Sequence, residues 1–387
     1  MKILYDHQTF TQQNYGGISR YFCEMMNQYS KDPSLDFTLA LCYSQNENLH
    51  LFSQLNAYWS RRNNFFSDNP YFSYFQKKFH FNALNYVFNN QRESERLLKK
   101  QDFDVFHPTY YDPYFLTHLQ KKPYIVTVYD MIHEIFPDYF SSNDPIKVWK
   151  KQLVENANCI IAISENTKKD IIKFANVDQG RIKVIYLGNP FESINEKMKI
   201  NNYSNPTLVG KSYLLFVGTR SGYKNFIFFI ESVVELLRKY SQLHIYCAGW
   251  GPFTSYEKKI LQKLNIIDKV HYVLTNDYQM KYLYRNAHAF IFPSLYEGFG
   301  LTVLEAFSCG CPAILSNTSS LPEVGGDAAI YFDPQDSVSL TDAVERLLSD
   351  DNLRTHLIRK GNERLKMFSW EKTAKTTKNV YNNVVNQ

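Results

Sequence analysis

A glycine-rich turn between two apolar segments restricts the fold of this chain more than any other part of its sequence. Residues 288–292 are apolar enough for a buried strand, the turn at 293–300 reads PSLYEGFG, and an apolar helix follows from Leu301. Such a turn aims backbone N–H groups and the positive end of the helix at one point, which suits a diphosphate. The segment therefore predicts a strand–turn–helix unit with a phosphate site.

Two glutamates flank this site. Glu297 lies in the turn and Glu305 lies about two helical turns further on, so both carboxylates can line one pocket. A phosphate cradle beside two acids indicates a nucleotide-sugar site, in which the acids hold the hydroxyls of the sugar and the ribose. The alternative is a capped turn with two surface glutamates. Against it, Glu305 stands between Leu304 and Ala306 on an apolar helix, where a solvent-facing acid is unusual.

Short apolar segments alternate with helical ones along the whole chain, which is the pattern of parallel α/β sheets. A polar, Asn- and Lys-rich stretch at 191–212 separates two halves and is interpreted as a linker. Each half resembles one doubly wound domain. The predicted strands are 3–6, 37–42, 105–107, 125–129, 159–163 and 184–186 in the first half, and 213–217, 243–248, 270–274, 289–292, 313–315 and 330–332 in the second.

The predicted fold is therefore α/β, with two doubly wound, Rossmann-like domains at 1–195 and 196–369. Ligands bind beyond the C-terminal ends of the strands in such sheets, so two facing domains place the active site in the cleft between them. The segment 370–387, introduced by FSWEK at 368–372, predicts a last helix that packs back on the N-terminal domain.

Composition narrows the classes of function. A chain of 387 residues with 44% hydrophobic and 21% charged residues is expected to fold, and a formal charge of +5 does not by itself indicate nucleic-acid binding. The sequence has no apolar run near the roughly 20 residues that span a bilayer and no charged-then-apolar leader. The six scattered cysteines are interpreted as buried free thiols of a cytosolic protein.

Two cations follow the first strand of the second half. Gly218 stands where the strand ends, and Arg220 and Lys224 follow it four residues apart in VGTRSGYKN. Two such cations can clamp a pyrophosphate, and they come from the same face of the cleft as the turn at 293–300. The alternative is a basic surface loop.

Strand ends in the first half carry further candidates. Gly16 and Gly17 follow the first strand and permit a close approach of the backbone to a phosphate or a sugar, or form only a tight turn. Asp130 and His133 follow the fourth strand, although Asp130 could equally cap the next helix. His107 ends the third strand and is either a site residue or a structural histidine.

Two other features have structural interpretations. Ser164 follows the fifth strand and is typical of a helix cap close to the cleft. The segment at 58–81 mixes aromatic and cationic residues, which could lie against a membrane surface or a lipid-linked acceptor. A buried hairpin or helix pair is the favoured interpretation of that segment.

Taken in order, these residues resemble the retaining glycosyltransferases of the GT-B fold, family 4, which include bacterial polysaccharide and lipopolysaccharide transferases. The resemblance covers nearly the whole chain. Its motifs are Gly16-Gly17, Arg220, Lys224, Ser294, Glu297, Glu305, Glu323 and FSWEK at 368–372.

The resemblance implies a hexosyltransferase without cofactor or metal, which moves a sugar from a nucleotide-diphosphate donor to a glycan or lipid-linked acceptor with retention. A mannose donor is one candidate. In this family Glu305 would hold the ribose, Glu297 the sugar, and the two cations the diphosphate. The implied donor site comprises Gly16, Gly17, Arg220, Lys224, Ser294, Glu297, Gly298, Phe299, Gly300, Leu301 and Glu305. The implied catalytic set comprises Glu297, Lys224, Arg220, Asp130 and His133.

The chain departs from the family at one position, because Tyr129 stands where many members have a histidine before Asp130. Either His133 or His107 is a candidate replacement. The expected location is the cytoplasm, with peripheral contact at the inner face of the cell membrane. Alternative functions are a non-catalytic sugar-nucleotide-binding protein of the same fold, or a GT-B epimerase or phosphorylase.

Overall fold

The structure, a computed structural model, describes residues 1–50, 83–192 and 212–387. The aromatic and cationic segment at 58–81 and the predicted domain boundary at 195–196 lie outside these residues. Most of the linker predicted at 191–212 lies outside them as well. Below, the first lobe means 1–50 and 83–192, and the second lobe means 212–365.

Six strands of the described first lobe each overlap a predicted strand. They are β1 (Lys2–Tyr5), β2 (Asp36–Leu39), β3 (Val105–His107), β4 (Ile125–Val128), β5 (Cys159–Ala162) and β6 (Ile182–Val184). The helices are α1 (Gln8–Gln12), α2 (Gly17–Tyr29), α3 (Ala83–Lys100), α4 (Ile132–Ile135), α5 (Ile146–Asn156) and α6 (Glu165–Phe174). The strand predicted at 184–186 begins two residues earlier, at Ile182.

All the strand pairs of this lobe are parallel, in the orders β2-β1-β3 and β4-β5-β6. A bridge between Phe106 and Tyr124 joins the two groups at β3 and β4. Every residue of β4 and β5 is buried, because helices cover both faces of such a sheet. This explains why these strands are continuous apolar runs in the sequence.

The second lobe has one parallel six-stranded sheet. Its strands are β7 (Ser212–Val217), β8 (Leu243–Ala248), β9 (Val270–Val273), β10 (Ala289–Phe292), β11 (Ala313–Ser316) and β12 (Ala329–Phe332). Its helices are α7 (Phe226–Ser232), α8 (Val234–Lys239), α9 (Ser255–Lys263), α10 (Asp277–Asn286), α11 (Leu301–Ser308), α12 (Leu321–Gly325), α13 (Ser337–Ser349) and α14 (Asp351–Leu365). The order β12-β11-β10-β7-β8-β9 places the topological switch point between β7 and β10, where ligands bind in such sheets.

Alternate residues of β7 point to opposite faces of this sheet, as the two-residue period of a strand requires. Leu214 and Phe216 belong to one apolar cluster, together with residues of α7 and α13. Tyr213 and Leu215 belong to another, together with residues of α10 and α11. The predicted two-domain, doubly wound α/β fold is therefore confirmed.

A last helix, α15 (Trp370–Val385), lies against α2 and β3 of the first lobe. The hydroxyl of Tyr381 lies 3.0 Å from that of Tyr5 and 2.6 Å from Nδ1 of His107. At the start of the helix, Nε1 of Trp370 donates to the carbonyl of Asn189 at 2.9 Å. Buried polar contacts thus join this helix to the first lobe.

All six cysteines are free thiols, and five of them are buried while Cys42 is exposed. The prediction of buried free thiols is therefore confirmed except at Cys42. Among the described residues, every helix is too short or too polar to cross a bilayer.

Candidate active site

A cavity of about 260 Å³ lies between the two lobes, at the switch point of the second sheet. It is open to solvent and receives residues from both lobes, as the facing-domain prediction requires. Its lining is Gly17, Ile18, Tyr21, Tyr129, Asp130, Ile163 and Leu187 from the first lobe, and Val217, Gly218, Lys224, Phe292, Glu297, Gly298, Phe299, Gly300, Leu301 and Thr302 from the second.

The glycine-rich turn forms one wall of this cavity and leads into α11. Gly300 has a φ of 107°, which favours glycine, and it occupies the cap position of the helix without any capping side chain. The first N–H groups of a helix have no partner within the helix, and the helix dipole makes that end positive. The wall therefore offers uncapped donors and partial positive charge to an anion, as predicted.

A second helix start faces the same cavity. Helix α2 begins at Gly17 after the cap position Gly16, again without a capping side chain. A Cβ atom on Gly17 would lie 3.3 Å from Cδ1 of Leu301, the first residue of α11. The two helix starts, one from each lobe, thus approach each other beside the cavity. Gly17 lines the cavity, whereas Gly16, the preceding residue, is not among the lining residues.

Lys224 and Glu297 form an ion pair inside the cavity. The Nζ atom of Lys224 lies 2.6 Å from Oε1 of Glu297, and the two side chains are only 16% and 12% exposed. Lys224 ends a short turn that follows β7, and the N–H of Glu297 donates to Oγ of Ser319 at 2.9 Å. An ammonium group has three donors, so Lys224 retains capacity for an anionic ligand.

Arg220 and Lys224, which the sequence predicts as a clamp for a pyrophosphate, have different partners in the structure. The guanidinium of Arg220 is 2% exposed, lies 2.7 Å from Glu257 and donates to the carbonyls of Gly251 and Pro252. Arg220 lines a second cavity, of about 310 Å³, on the side of the sheet that carries α7 and α9. The Nε and Nη2 atoms of Arg220 are thus bonded within the second lobe, whereas its buried Nη1 has no hydrogen-bond partner among the described residues.

Glu305 also lies apart from the residues that line the first cavity. Its carboxylate accepts a hydrogen bond from the hydroxyl of Tyr284 on α10, at 3.0 Å. Burial raises the pKa of Glu305 to about 7, while the Tyr284 hydrogen bond acts in the opposite direction. The expectation that both glutamates line one pocket is thus met by Glu297 only, because Glu305 faces α10.

Asp130 combines the two roles that the sequence left open. It lines the cavity, and its Oδ1 accepts the N–H of Ile132 at 3.1 Å at the start of α4. Its carbonyl accepts a hydrogen bond of 2.9 Å from Lys150, a fully buried lysine that also pairs with Glu134 at 2.9 Å. The buried ammonium therefore fixes the strand end that carries Asp130.

The two candidate histidines are not among the residues that line the cavity. The ring of His133 stacks on Phe140 with centroids 3.8 Å apart, and its Nε2 lies 3.5 Å from Asp144. Burial and the nearby Lys150 lower its pKa. His107 is fully buried, with Nδ1 beside Tyr381 and Nε2 2.9 Å from Thr127, and burial lowers its pKa to about 3. His107 is therefore a neutral structural histidine and does not replace the missing strand-end histidine.

Ser294 is fully buried, and its Oγ has no hydrogen-bond partner among the described residues. It does not belong to the lining of the first cavity described above. Ser164 caps α6, as predicted, by accepting the N–H of Thr167 at 2.9 Å.

Sequence reasoning missed several residues of the site. Tyr21, Ile163 and Phe292 line the cavity, and Lys150 supports it, but none carries a signal beyond ordinary core patterning. Ser319, whose hydroxyl accepts a hydrogen bond from the N–H of Glu297, follows the next strand, β11. The rule that strand ends share one edge of a parallel sheet could have found Ser319.

Within the described ranges, no three His, Cys, Asp or Glu side chains form a group that could hold a metal ion.

Comparison with known proteins agrees with this architecture. A family model described as Glycosyltransferase Family 4 matches residues 15–190, and one described as Glycosyl transferases group 1 matches residues 199–364. The two models cover the first and second lobes in turn. The chain therefore belongs to the family 4 glycosyltransferases with the GT-B fold, as the sequence motifs indicate.

Among its relatives, O-antigen chain mannosyltransferase B of Escherichia coli is 28% identical over 307 residues, which cover 75% of this chain and 77% of the relative. O-antigen chain mannosyltransferase RfbU of Salmonella typhimurium is 30% identical over 226 residues, which cover 57% and 60% of the two chains. The latter match thus spans less than two thirds of either protein.

Solved structures share the fold over nearly the whole chain. Sucrose-phosphate synthase of Thermosynechococcus elongatus superposes with a TM-score of 0.68 at 18% identity, covering 99% of this chain and 98% of the other. HepE of Anabaena in complex with UDP and glucose gives a TM-score of 0.68 at 15% identity, covering 98% and 99%. At such low identity these likenesses concern the fold alone.

Proposed function

We propose that this glycosyltransferase moves mannose from a nucleotide-diphosphate donor to a glycan or lipid-linked acceptor in the synthesis of a cell-surface polysaccharide. The observation that carries the proposal is the Lys224–Glu297 ion pair of 2.6 Å beside the uncapped start of α11. Mannose is the sugar named in the O-antigen mannosyltransferases that resemble this chain.

In this proposal, separate residues of the site bind the diphosphate and the sugar of the donor. The diphosphate is placed at the start of α11, with N–H groups of Phe299, Gly300 and Leu301 toward it and Lys224 beside it. Glu297 then exchanges its bond to Lys224 for hydroxyls of the sugar. Lys224 keeps an anionic partner when this pair opens, because the diphosphate replaces the carboxylate at the ammonium group.

Glu305 is proposed to contact the ribose, as in the family, after a change of partner. Its carboxylate is held by Tyr284 in the structure, so a ribose would compete with that tyrosine. With a pKa of about 7, the group can donate as well as accept near neutral pH.

The proposed reaction retains the anomeric configuration. The bond from the sugar C1 to the β-phosphate oxygen breaks, and the acceptor oxygen forms its bond to C1 on the same face. The acceptor proton passes to the departing phosphate oxygen. Negative charge grows on that phosphate, and positive groups placed there in advance lower the barrier. Lys224 and the helix start supply them, and we propose that no divalent metal is needed.

The test offers the purified protein a panel of nucleotide sugars with a lipid-linked or oligosaccharide acceptor. We expect release of nucleoside diphosphate and a product one hexose heavier by mass spectrometry, with NMR showing the anomeric configuration of the donor. Binding without turnover would support a non-catalytic protein. Turnover of the nucleotide sugar alone, or of phosphate with a glycan, would indicate an epimerase or a phosphorylase.

A lipid-linked acceptor would place the reaction at the cytoplasmic surface of the membrane, and we propose that the protein binds there peripherally. Cosedimentation with anionic vesicles tests this point separately from catalysis. Recovery of all the protein in the supernatant at low salt would contradict it.

A further inference from the structure

The turn that forms the anion site is held from the opposite lobe. Gly298, at its centre, passes so close to the end of β4 that a Cβ atom at this position would lie 1.7 Å from the carbonyl oxygen of Tyr129. No side chain fits in that space. Glycine is therefore required at position 298 by the contact between the lobes, whether or not a phosphate is bound.

Two hydroxyls from the start of α6 reach the carbonyl of Gly298. The Oγ atom of Ser164 lies 2.7 Å and Oγ1 of Thr167 lies 3.1 Å from this oxygen, and both residues are fully buried. A carbonyl oxygen has two lone pairs, so it can accept from both hydroxyls. The Oγ atom of Ser164 also caps α6, which couples the position of the turn to the integrity of that helix.

Two further residues of the second lobe, Tyr296 and Glu323, make hydrogen bonds across the same interface. The hydroxyl of Tyr296 donates to Asp170 on α6 at 2.8 Å and accepts the N–H of Met131 at 3.3 Å. Glu323 on α12 of the second lobe accepts the N–H groups of Glu165 at 2.6 Å and of Asn166 at 3.1 Å. A carboxylate at the positive end of a helix is stabilised by the helix dipole.

These contacts surround the residues that face the donor. Tyr296 directly precedes Glu297, and Gly298 directly precedes the stretch at 299–301 whose N–H groups open α11. Displacing a catalytic group by about 1 Å can reduce a rate by about a hundredfold. The hydroxyls on α6 and on Tyr296 thus determine where the acid and the amide donors of the site stand.

We propose that Ser164, Thr167 and Tyr296 are positioning residues, through which α6 of the first lobe holds the donor turn of the second. Donor binding and the docking of the two lobes are then one coupled event. The proposal rests on the proposed function for the identity of the donor, but the coupling itself concerns only this chain. None of the three residues needs to touch the donor, because each acts through the turn.

The variants remove single groups from the interface. Tyr296→Phe deletes one oxygen atom, and Thr167→Val replaces a hydroxyl by a methyl group of similar size. Thr167→Ser restores the hydroxyl and serves as the conservative rescue. Ser164→Ala is compared with Ser369→Ala, because Ser369 caps α15 in the same way, by accepting the N–H of Lys372. The serine pair therefore separates loss of a helix cap from loss of the contact with the turn.

The first measurement needs no ligand and follows amide hydrogen exchange of the segment 296–303. We expect exchange about tenfold faster in Tyr296→Phe, Thr167→Val and Ser164→Ala, as loss of one buried hydrogen bond allows. Thr167→Ser and Ser369→Ala should keep the rates of the unmodified protein. Equal rates in all variants would overturn the proposal.

The second measurement is the affinity for UDP and GDP, together with steady-state kinetics of the full-length protein. We expect binding of the recognised nucleotide to weaken about tenfold in the same three variants, with acceptor KM unchanged. Faster exchange with unchanged nucleotide affinity would refute the coupling to donor binding. Failure of the unmodified protein to bind either nucleotide would count against the proposed function, whereas hydrogen exchange would still decide whether α6 positions the turn.

Discussion

Two cavities, one between the lobes and one within the second lobe, each hold a cation paired with an acid, and both cations come from the loop after β7. Lys224 pairs with Glu297 between the lobes, where the side chains are 16% and 12% exposed. Arg220 pairs with Glu257 within one lobe, where they are 2% and 8% exposed. Two cations four positions apart therefore have different surroundings: the proposed function has the Lys224 pair open for a ligand, whereas the Arg220 pair lies within the second lobe.

The surroundings of the two cations explain this difference. Arg220 also donates to two carbonyls, and its guanidinium lies 4.8 Å from the ring centroid of Phe253. Lys224 has only Glu297 as a charged partner among its described contacts, next to a helix start without a capping side chain. A cation with spare donors beside an uncapped helix is suited to exchange its partner for an anion.

The largest expected effect concerns stability. Arg220→Ala leaves the carboxylate of Glu257 buried without its cation, and breaking such a pair typically lowers the free energy of unfolding by about 3–5 kcal/mol. Urea denaturation measures this change. Arg238→Ala, which removes a surface pair with Glu235, should change it by less than about 1 kcal/mol.

The turnover of the Arg220→Ala variant shows whether Arg220 acts only on stability or also on catalysis. If the folded variant at low temperature lost as much activity as a Lys224 variant while keeping its stability, Arg220 would contact the donor after all. That result would support the prediction from the sequence that Arg220 and Lys224 bind the diphosphate together.

The next effect concerns catalysis. Lys224→Ala and Glu297→Gln should each lower turnover by a factor of about 10² or more, because Lys224 is proposed to stabilise charge on the departing phosphate and Glu297 to position the sugar. Steady-state kinetics with a saturating donor measures the change. Lys239→Ala, at a surface lysine that pairs with Glu345, is the matched control and should keep full activity. Near-normal turnover in either site variant would remove that residue from the mechanism.

A smaller effect concerns pH and Glu305. Its pKa of about 7 in the folded protein lies above the usual value of 4.5, so folding disfavours the charged form. This destabilisation is absent below about pH 4.5, grows as the pH rises toward 7, and is constant above that value. Glu305→Gln should therefore gain stability relative to the unmodified protein over this window, by about 2 kcal/mol.

The pH series has a simple internal check. Glu345→Gln, at a glutamate of the surface pair with Lys239, should give a nearly flat difference between pH 5 and pH 8 on the same denaturation measurement. A flat difference for Glu305→Gln as well would mean that its carboxyl group is solvated like an ordinary surface acid.

The smallest expected effect is that of removing metal ions. Since Lys224 and the start of α11 are proposed to neutralise the departing phosphate, addition of EDTA should change the initial rate by less than about twofold. A loss of activity that Mg²⁺ or Mn²⁺ restores would show that the cation in the cavity is insufficient on its own.

The sequence predicted the strands well, because a strand covered on both faces must be apolar throughout. Strand β5, CIIA, is buried at every position and was located to within one residue. Strand β6 was displaced by two residues, since its sequence IKV carries an exposed lysine and lacks that signal. A strand is thus easiest to locate in the sequence when both of its faces are covered, because all of its residues are then apolar.

The site was only partly predictable, for a physical reason. Glu297 and the glycine turn were found because the backbone itself forms that site. Spacing cannot reveal which way a long side chain points, so the sequence predicted neither the pairing of Arg220 with Glu257 nor the contact of Glu305 with Tyr284. His107 shows the same limit, because its partner Tyr381 lies 274 residues away in the chain.

That long-range partnership also bears on how the protein is made. Tyr5 and His107 complete their polar contacts only with Tyr381, on a helix that follows the entire second lobe in the chain. During synthesis on the ribosome, the second lobe therefore emerges before α15 can pack against α2 and β3 of the first lobe. Until α15 leaves the ribosome, the hydroxyl of Tyr5 and Nδ1 of His107 lack the partner that Tyr381 provides. We therefore expect chaperones to bind the first lobe mainly before α15 is released.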